Sequence, residues 1–307
     1  MGRAANALES LLLPLMVLIG AIGVAFPDAG RAVDRSGGID PTLAVLVLAA
    51  GLALEHADVR AVQARKGRIA SAMLASTLVL PALAWALSRA APSGVRDGIL
   101  AVGVAPAEIA SVGLTGLAGG EISVAAVLLA ASSAVTVVLS APILSLLAPT
   151  GDLHPVGVLT TLVLVVALPL GTGAGLARLL RRWARAVDLG RFVSVLALLA
   201  LLFEVASEVR LGAHILVAAA LLLAFLGGAA LLGGLVTRGV DPAGRPGLLL
   251  PLAMRDFAVA AGIATAAFGP GAAGVLGIYG LLALTFGSVS ARRSSRRAHA
   301  TSPPGAA

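Results

Sequence analysis

"APAEIASVGLTGLAGGE", residues 105–121, sets a carboxylate, Glu108, two positions after Pro106 in an otherwise apolar and small-residue run. A proline gives a helix no amide hydrogen, and its ring presses on the carbonyl one turn back. Gly113 and Gly116 loosen the backbone further along the same stretch. A carboxylate here is costly wherever water is absent. The combination predicts a helix interrupted at Pro106 and Gly113, with an ionisable group at the break. What surrounds that group decides the fold.

The surroundings are apolar. Hydrophobic residues make up 59% of the 307 and charged residues 12%, against about 25% charged in soluble domains. Apolar runs recur along the chain, each long enough to cross a hydrocarbon core of roughly 30 Å as a helix. Lipid offers no partner to an open strand edge, and the alternation of barrel strands is absent, so the fold class is an all-α integral membrane protein. Ten spans are expected: 8–26, 42–57, 69–88, 98–118, 122–147, 155–177, 192–207, 212–236, 247–268 and 272–291. Turn signals such as "DRSGGIDP", "GDLHP" and "FGPG" separate them. The chain has no cysteine, which excludes a disulfide, a thiolate metal site and a cysteine nucleophile.

The net charge of +7 lies in short connections and the tail beside apolar runs, a topology signal rather than a nucleic-acid surface. With both termini cytoplasmic, Lys and Arg number about sixteen on the inner side, from Arg3 through Arg60, Arg65, Lys66 and Arg68 to Arg297. The outer side has Arg31, Arg35, Arg89, Arg96 and Arg210, and Arg255 lies within a span. The first apolar run resembles a signal peptide in outline, but its removal breaks this bias, so it is expected to stay as a span. The setting is therefore a multi-pass protein of the cell (inner) membrane. The loop "ADVRAVQARKGR" is expected to lie on the inner leaflet as a basic helix, and the tail 292–307 to be disordered.

Five spans in residues 1–150 and five in 151–291 give two halves of opposite orientation, the inverted repeat of many secondary transporters. Each half carries its intramembrane charge in its fourth span, Glu108 in one and the Arg255 and Asp256 of "LPLAMRDFAVA", residues 250–260, in the other. Pro251 is expected to break the ninth span as Pro106 breaks the fourth. On a regular helix Arg255 and Asp256 point about 100° apart, so each needs its own partner. Arg255 is expected to pair with Glu108 or with a substrate carboxylate, and Asp256 to face an ion or proton. "GTGAG", residues 171–175, mimics a dinucleotide loop, but no strand precedes it and close helix packing is the better reading. Glu204, Glu208 and Arg210 read as a solvated helix end or an entrance vestibule. The four histidines lack ligand spacing, and no nucleophile with an adjacent base appears in the spans, so neither a metal cofactor nor an enzyme is expected.

Four stretches, "GLALEHADVRAV", "LASTLVLPALAW", "APAEIASVGLTGLAGGEISVAAVLLAASSAV" and "AMRDFAVAAGIATAAFG", resemble the bile acid:sodium symporter family across about residues 8–291. The resemblance implies a panel domain from spans 1, 2, 6 and 7, a core domain from spans 3–5 and 8–10, crossing broken helices at spans 4 and 9, and transport of organic anions driven by sodium. The family's sodium pattern P-G-G-T-A-S-N becomes "PAEIASV": Ser111 is kept, Val112 replaces the Asn and Glu108 a Gly. Its E-V-G-M-Q-N becomes "PLAMRD", with Pro251, Arg255 and Asp256 replacing Glu, Gln and Asn, and a third-span Gln becomes Ser76. The fifth-span hydroxyls fall on Ala125 and Leu129, with Ser132, Ser133 and Thr136 further along. These changes remove most side-chain sodium ligands. The expected function is a secondary transporter of a small organic anion coupled to a proton or one sodium ion, with an arsenite-type exporter, or a non-transporting sensor or scaffold, as alternatives.

Overall fold

Because lipid leaves backbone groups no outside partner, helices carry nearly all of the backbone hydrogen bonding. The computed structural model describes residues 12–29, 39–53, 59–148, 155–179, 184–207 and 214–301. Its helices are α1 (Leu12–Ala25), α2 (Ile39–Ala53), α3 (Val59–Ala64), α4 (Lys66–Leu74), α5 (Leu80–Ser88), α6 (Ser93–Val104), α7 (Ala110–Leu117) and α8 (Ile122–Leu147). There follow α9 (Pro155–Leu162), α10 (Leu168–Leu179), α11 (Ala184–Ser207), α12 (His214–Val236), α13 (Gly244–Ala253), α14 (Phe257–Phe268) and α15 (Leu276–Thr301). Lys66–Ser88, Ile122–Leu147, Pro155–Ala177 and Ile215–Val236 are each long and apolar enough to cross a bilayer. Leu78, Val138 and Leu231, more than half exposed, suit lipid contact. The chain is a multi-pass integral membrane protein.

Two spans contain a widened turn just ahead of a proline. Ala75–Val79 joins α4 to α5 before Pro81, and Val163–Ala167 joins α9 to α10 before Pro169. The π turn accommodates the ring and missing amide without ending the helix. It also presents Ser76 toward the interior, where it is buried.

α2 packs along α10 and α11, and α11 along α1. Close approach there depends on small residues: a Cβ on Gly173 would lie 2.2 Å from the Leu48 carbonyl oxygen and 2.9 Å from Gly51 Cα. The packing reading of "GTGAG" thus rests on its middle glycine, since a Cβ on Gly171 or Gly175 would meet nothing within 4 Å. A second group of contacts joins α5 to α6, α12 to α13, α8 to α13, α6 to α14 and α7 to α15.

Connections meet at both ends of this second group. Where α4 begins, the Arg65 guanidinium binds the Glu121 carboxylate through Nε and through Nη2 at 2.5 Å, and Asp241 Oδ2 through Nη2 at 2.7 Å. Gly244 leaves room for it, since a Cβ there would fall 2.1 Å from Arg65 Cζ. The Glu121 carboxylate raises the Arg65 pKa, while the Gly244 amide and then Arg65 hold the Asp241 carboxyl below its usual range. Arg68 donates to the carbonyls of Val236, the last residue of α12, and Arg238 just beyond it, where the helix dipole favours a cation. At the opposite end, a Cβ on Gly98 of α6 would lie 2.9 Å from the Ala272 carbonyl oxygen of the turn before α15.

Three expectations change. Helix α15 continues to Thr301, so Arg292, Arg293, Arg296 and Arg297 are helical rather than disordered; no glycine or proline falls between Gly287 and Pro303. Within the basic loop only the six-residue α3 precedes α4, and Arg65 and Arg68 are engaged by protein oxygens rather than free for headgroups. Glu204 is not a solvated end: it is 3% exposed and accepts from Thr42 Oγ1 at 3.1 Å, because that face of α11 turns toward α2. Arg3, Arg31, Arg35, Arg181, Arg182, Glu208, Arg210, the tail 302–307 and most of the turns 34–41 and 151–155 lie outside the described residues.

Candidate functional site

The residue before a proline is pushed out of the helical region. Ala105 accordingly adopts φ −64° and ψ 156°, and α6 stops at Val104. In the other half α13 passes through Pro251 and stops at Ala253, with Met254 extended at φ −97° and ψ 120°. The break therefore falls at Met254–Asp256, three residues beyond the proline expected to cause it. Gly113 sits inside α7 and likewise does not mark the break.

The two interrupted stretches pair antiparallel at Ala107 and Arg255. Glu108 N donates to the Met254 carbonyl and Asp256 N to the Pro106 carbonyl, each at 2.9 Å. The remaining amide of each bridging residue is met by a hydroxyl from a neighbouring helix. Ala107 N donates to Ser132 Oγ of α8 at 3.0 Å, and Arg255 N to Tyr279 Oη of α15 at 3.1 Å. Thr136 Oγ1 donates to the Val104 carbonyl at 3.0 Å. Backbone freed by the interruptions is thereby satisfied inside the protein, as an apolar environment requires.

In this pairing Glu108 and Asp256 hold equivalent places, one residue after the bridge and at the start of the second half-helix. Asp256 is the N-cap of α14, its Oδ1 accepting from Ala258 N and Val259 N at 2.9 Å each. Glu108 accepts from Ala110 N at 3.5 Å and, across the crossing, from Phe257 N at 3.4 Å. Both carboxylates are almost fully buried, and Glu108 Oε2 reaches the amide of Phe257, the residue after Asp256. Each draws on the positive end of a helix dipole.

Arg255 does not pair with Glu108. Its Nη1 donates to Ser76 Oγ at 2.8 Å and its Nη2 to the Ala105 carbonyl, while Nε has no hydrogen-bond partner among the described residues. Extended backbone alternates its side chains, so Arg255 and Asp256 face opposite sides of the stretch rather than lying 100° apart as on a helix. Arg255, Ser76 and Ser132 line two small open clefts, against α8 and α13 respectively.

Of the other expected residues, Ser111 lies in the first turn of α7, fully buried, with no partner for Oγ among the described residues. Ser133 is buried on α8 next to Ser132. Tyr279 was missed by the sequence reading. Its signal was available: it is the chain's only tyrosine, placed in mid-span. It is fully buried, edge-on to Phe225 with ring centroids 6.0 Å apart.

Residues 40–219, more than half of the chain, match the sodium bile acid symporter family. The matched segment contains Ser76, Pro106, Glu108, Ser111, Ser132 and Ser133, and ends before Arg255 and Asp256. No curated protein matches the chain.

Proposed function

The chain belongs to the sodium bile acid symporter family, a family of secondary transporters rather than enzymes, and on that premise we propose that it moves a small organic anion by alternating access, coupled to a proton or one sodium ion at Glu108 and Asp256. The observation that carries this is the meeting of two buried carboxylates at an antiparallel crossing of interrupted helices. In a bilayer such groups mark ion pathways, and half-helix ends supply fixed partial charges around them.

The oxygens present suit one coupling cation. Glu108 lies one turn ahead of Ser111, whose unpartnered Oγ is a spare ligand, and Asp256 stands in the equivalent place of the other half. Either a small cation or a proton shared by the carboxylates relieves their repulsion, and its release differs between inward- and outward-open states.

The ten-span, inverted-repeat arrangement belongs to the same proposal. It is supported by the antiparallel bridge and by the hydroxyl that the fifth span of each half, α8 or α15, gives to the bridging amide. The meeting of the connections at Arg65, Glu121 and Asp241 at one end, and at Gly98 and Ala272 at the other, supports the alternation of spans. With both termini cytoplasmic, spans 1, 2, 6 and 7, that is α1, α2, α9 with α10, and α11, form the panel and the crossing belongs to the core, against which the panel moves.

Uptake of organic anions by proteoliposomes, under separately imposed sodium and proton gradients, tests this. Gradient-driven uptake is expected to fall at least about tenfold in Glu108→Gln and in Asp256→Asn, with folding retained. Uptake that persists in both variants would show the carboxylates to be structural.

A further inference from the structure

We propose that the Arg255 guanidinium is a resident cation, filling an oxygen-lined place in the crossing that a mobile monovalent cation would otherwise take. Its two hydrogen-bonded nitrogens face neutral oxygens, the Ser76 hydroxyl and the Ala105 carbonyl. Those oxygens come from two separate elements, the π turn of the third span and the carbonyl end of α6. A helix C-terminus is the negative end of the dipole, and a hydroxyl beside a bare carbonyl is the ligand pair that holds a small hard cation.

Among the described residues, no carboxylate hydrogen-bonds to this guanidinium. Asp256 and Glu108 accept instead from backbone amides at the starts of α7 and α14. The hydrogen bonds of the guanidinium thus go to neutral dipoles, as the contacts of an ion in transit do, rather than to an ion-pair partner. The equivalent position in the first half is Ala107, which brings no charge. In charge the two crossing stretches therefore differ at one position, and there the second half supplies a fixed positive charge. Resting on the transport reading above, this leaves one exchangeable cation, at the Glu108 side, and sets the other permanently in the protein.

The test is thermal unfolding of the purified full chain in detergent, which needs no substrate and so fails independently of any transport assay. Arg255→Ala is expected to lower the midpoint by at least about 5 °C in choline chloride. Guanidinium near 10 mM, or sodium, is expected to restore most of that loss, the former far below its denaturing range. Arg255→Lys should stay near wild type. Arg255→Met, which fills the space without charge, should be low and unrescued by either cation.

If Arg255→Ala does not fold, the Lys and Met pair decides, with Lys folded and Met destabilised as the supporting result. A Met variant as stable as wild type, or an Ala variant that no cation rescues, would overturn the proposal. So would stabilisation of wild type, but not Arg255→Met, by acetate or benzoate, because that would assign the guanidinium to a bound anion.

Discussion

The two stretches that cross in the middle of the molecule perform one backbone task with different side chains. Residues 106–108 carry proline, alanine and glutamate; residues 254–256 carry methionine, arginine and aspartate. Each exchanges one amide and one carbonyl with the other, and each has its bridging amide met by a hydroxyl, Ser132 on one side and Tyr279 on the other. The carboxylates match in position, whereas Ala107 and Arg255 do not. Backbone satisfaction is what lipid demands of both stretches equally, so it is shared. Charge is not demanded of either, so the one unmatched charge is where a function-specific role is to be sought.

The largest effect should come from crowding one side of the crossing. A Cβ on Gly280 of α15 would fall 2.8 Å from Cγ of the buried Phe257 ring, whereas one on Gly113 of α7 would meet nothing within 4 Å among the described residues. Gly280→Val is expected to destabilise the protein by about 3 kcal/mol, and Gly113→Ala to be neutral or stabilising by about 0.5 kcal/mol. Chemical denaturation of the two variants measures the contrast, and equal losses would break the asymmetry.

Next comes the shared feature. Ser132→Ala and Tyr279→Phe each strand one buried amide of the bridge, so losses of about 1–3 kcal/mol are expected from both. A loss at one and none at the other would show that the crossing leans on a single half.

A smaller difference separates the carboxylates. Asp256 caps its helix at 2.9 Å and Glu108 makes contacts of 3.4 to 3.5 Å. Asp256→Ala should therefore cost about 0.5–2 kcal/mol of stability and Glu108→Ala less, while both abolish coupled uptake. Melting and uptake measured on the same preparations separate capping from coupling.

The smallest effect lies away from the crossing, at Arg65 and Asp241. The depressed Asp241 pKa means its contribution is present above its unfolded value, about 4, and is lost as pH falls through its lower folded value. The site is open to water, so a slight extra acid sensitivity is expected relative to Asp241→Asn, weakened by salt. Melting curves between pH 3 and pH 6 would read it. An acid transition set by Asp241 alone would place the main stability of the core at its end rather than at its crossing.

The interruption at Pro106 was legible because proline acts on its immediate neighbour: Ala105 leaves the helical region whatever packs around it. The interruption at Met254–Asp256 was misplaced onto Pro251 because proline also fits within a membrane helix when neighbours take up the freed carbonyl. Glu108, Arg255 and Asp256 stood out as charges in apolar runs, a local property. The partners of Arg255 did not, since Ser76, Ala105 and Tyr279 are 24 to 179 positions away along the chain. Glu204 was misread for the same reason, because the Thr42 contact spans 162 positions.

The sequence by itself determined that this is a helical membrane protein with ionisable groups at two interrupted spans, because solvent partition and backbone sterics act over a few residues and leave their mark in composition and spacing. Only the tertiary structure decided that the two interruptions pair, that Glu108 and Asp256 are equivalent, and that Arg255 rests on neutral oxygens rather than on Glu108. Those outcomes depend on which distant groups reach hydrogen-bonding range in a medium where every unmet polar group is costly, and packing alone selects them.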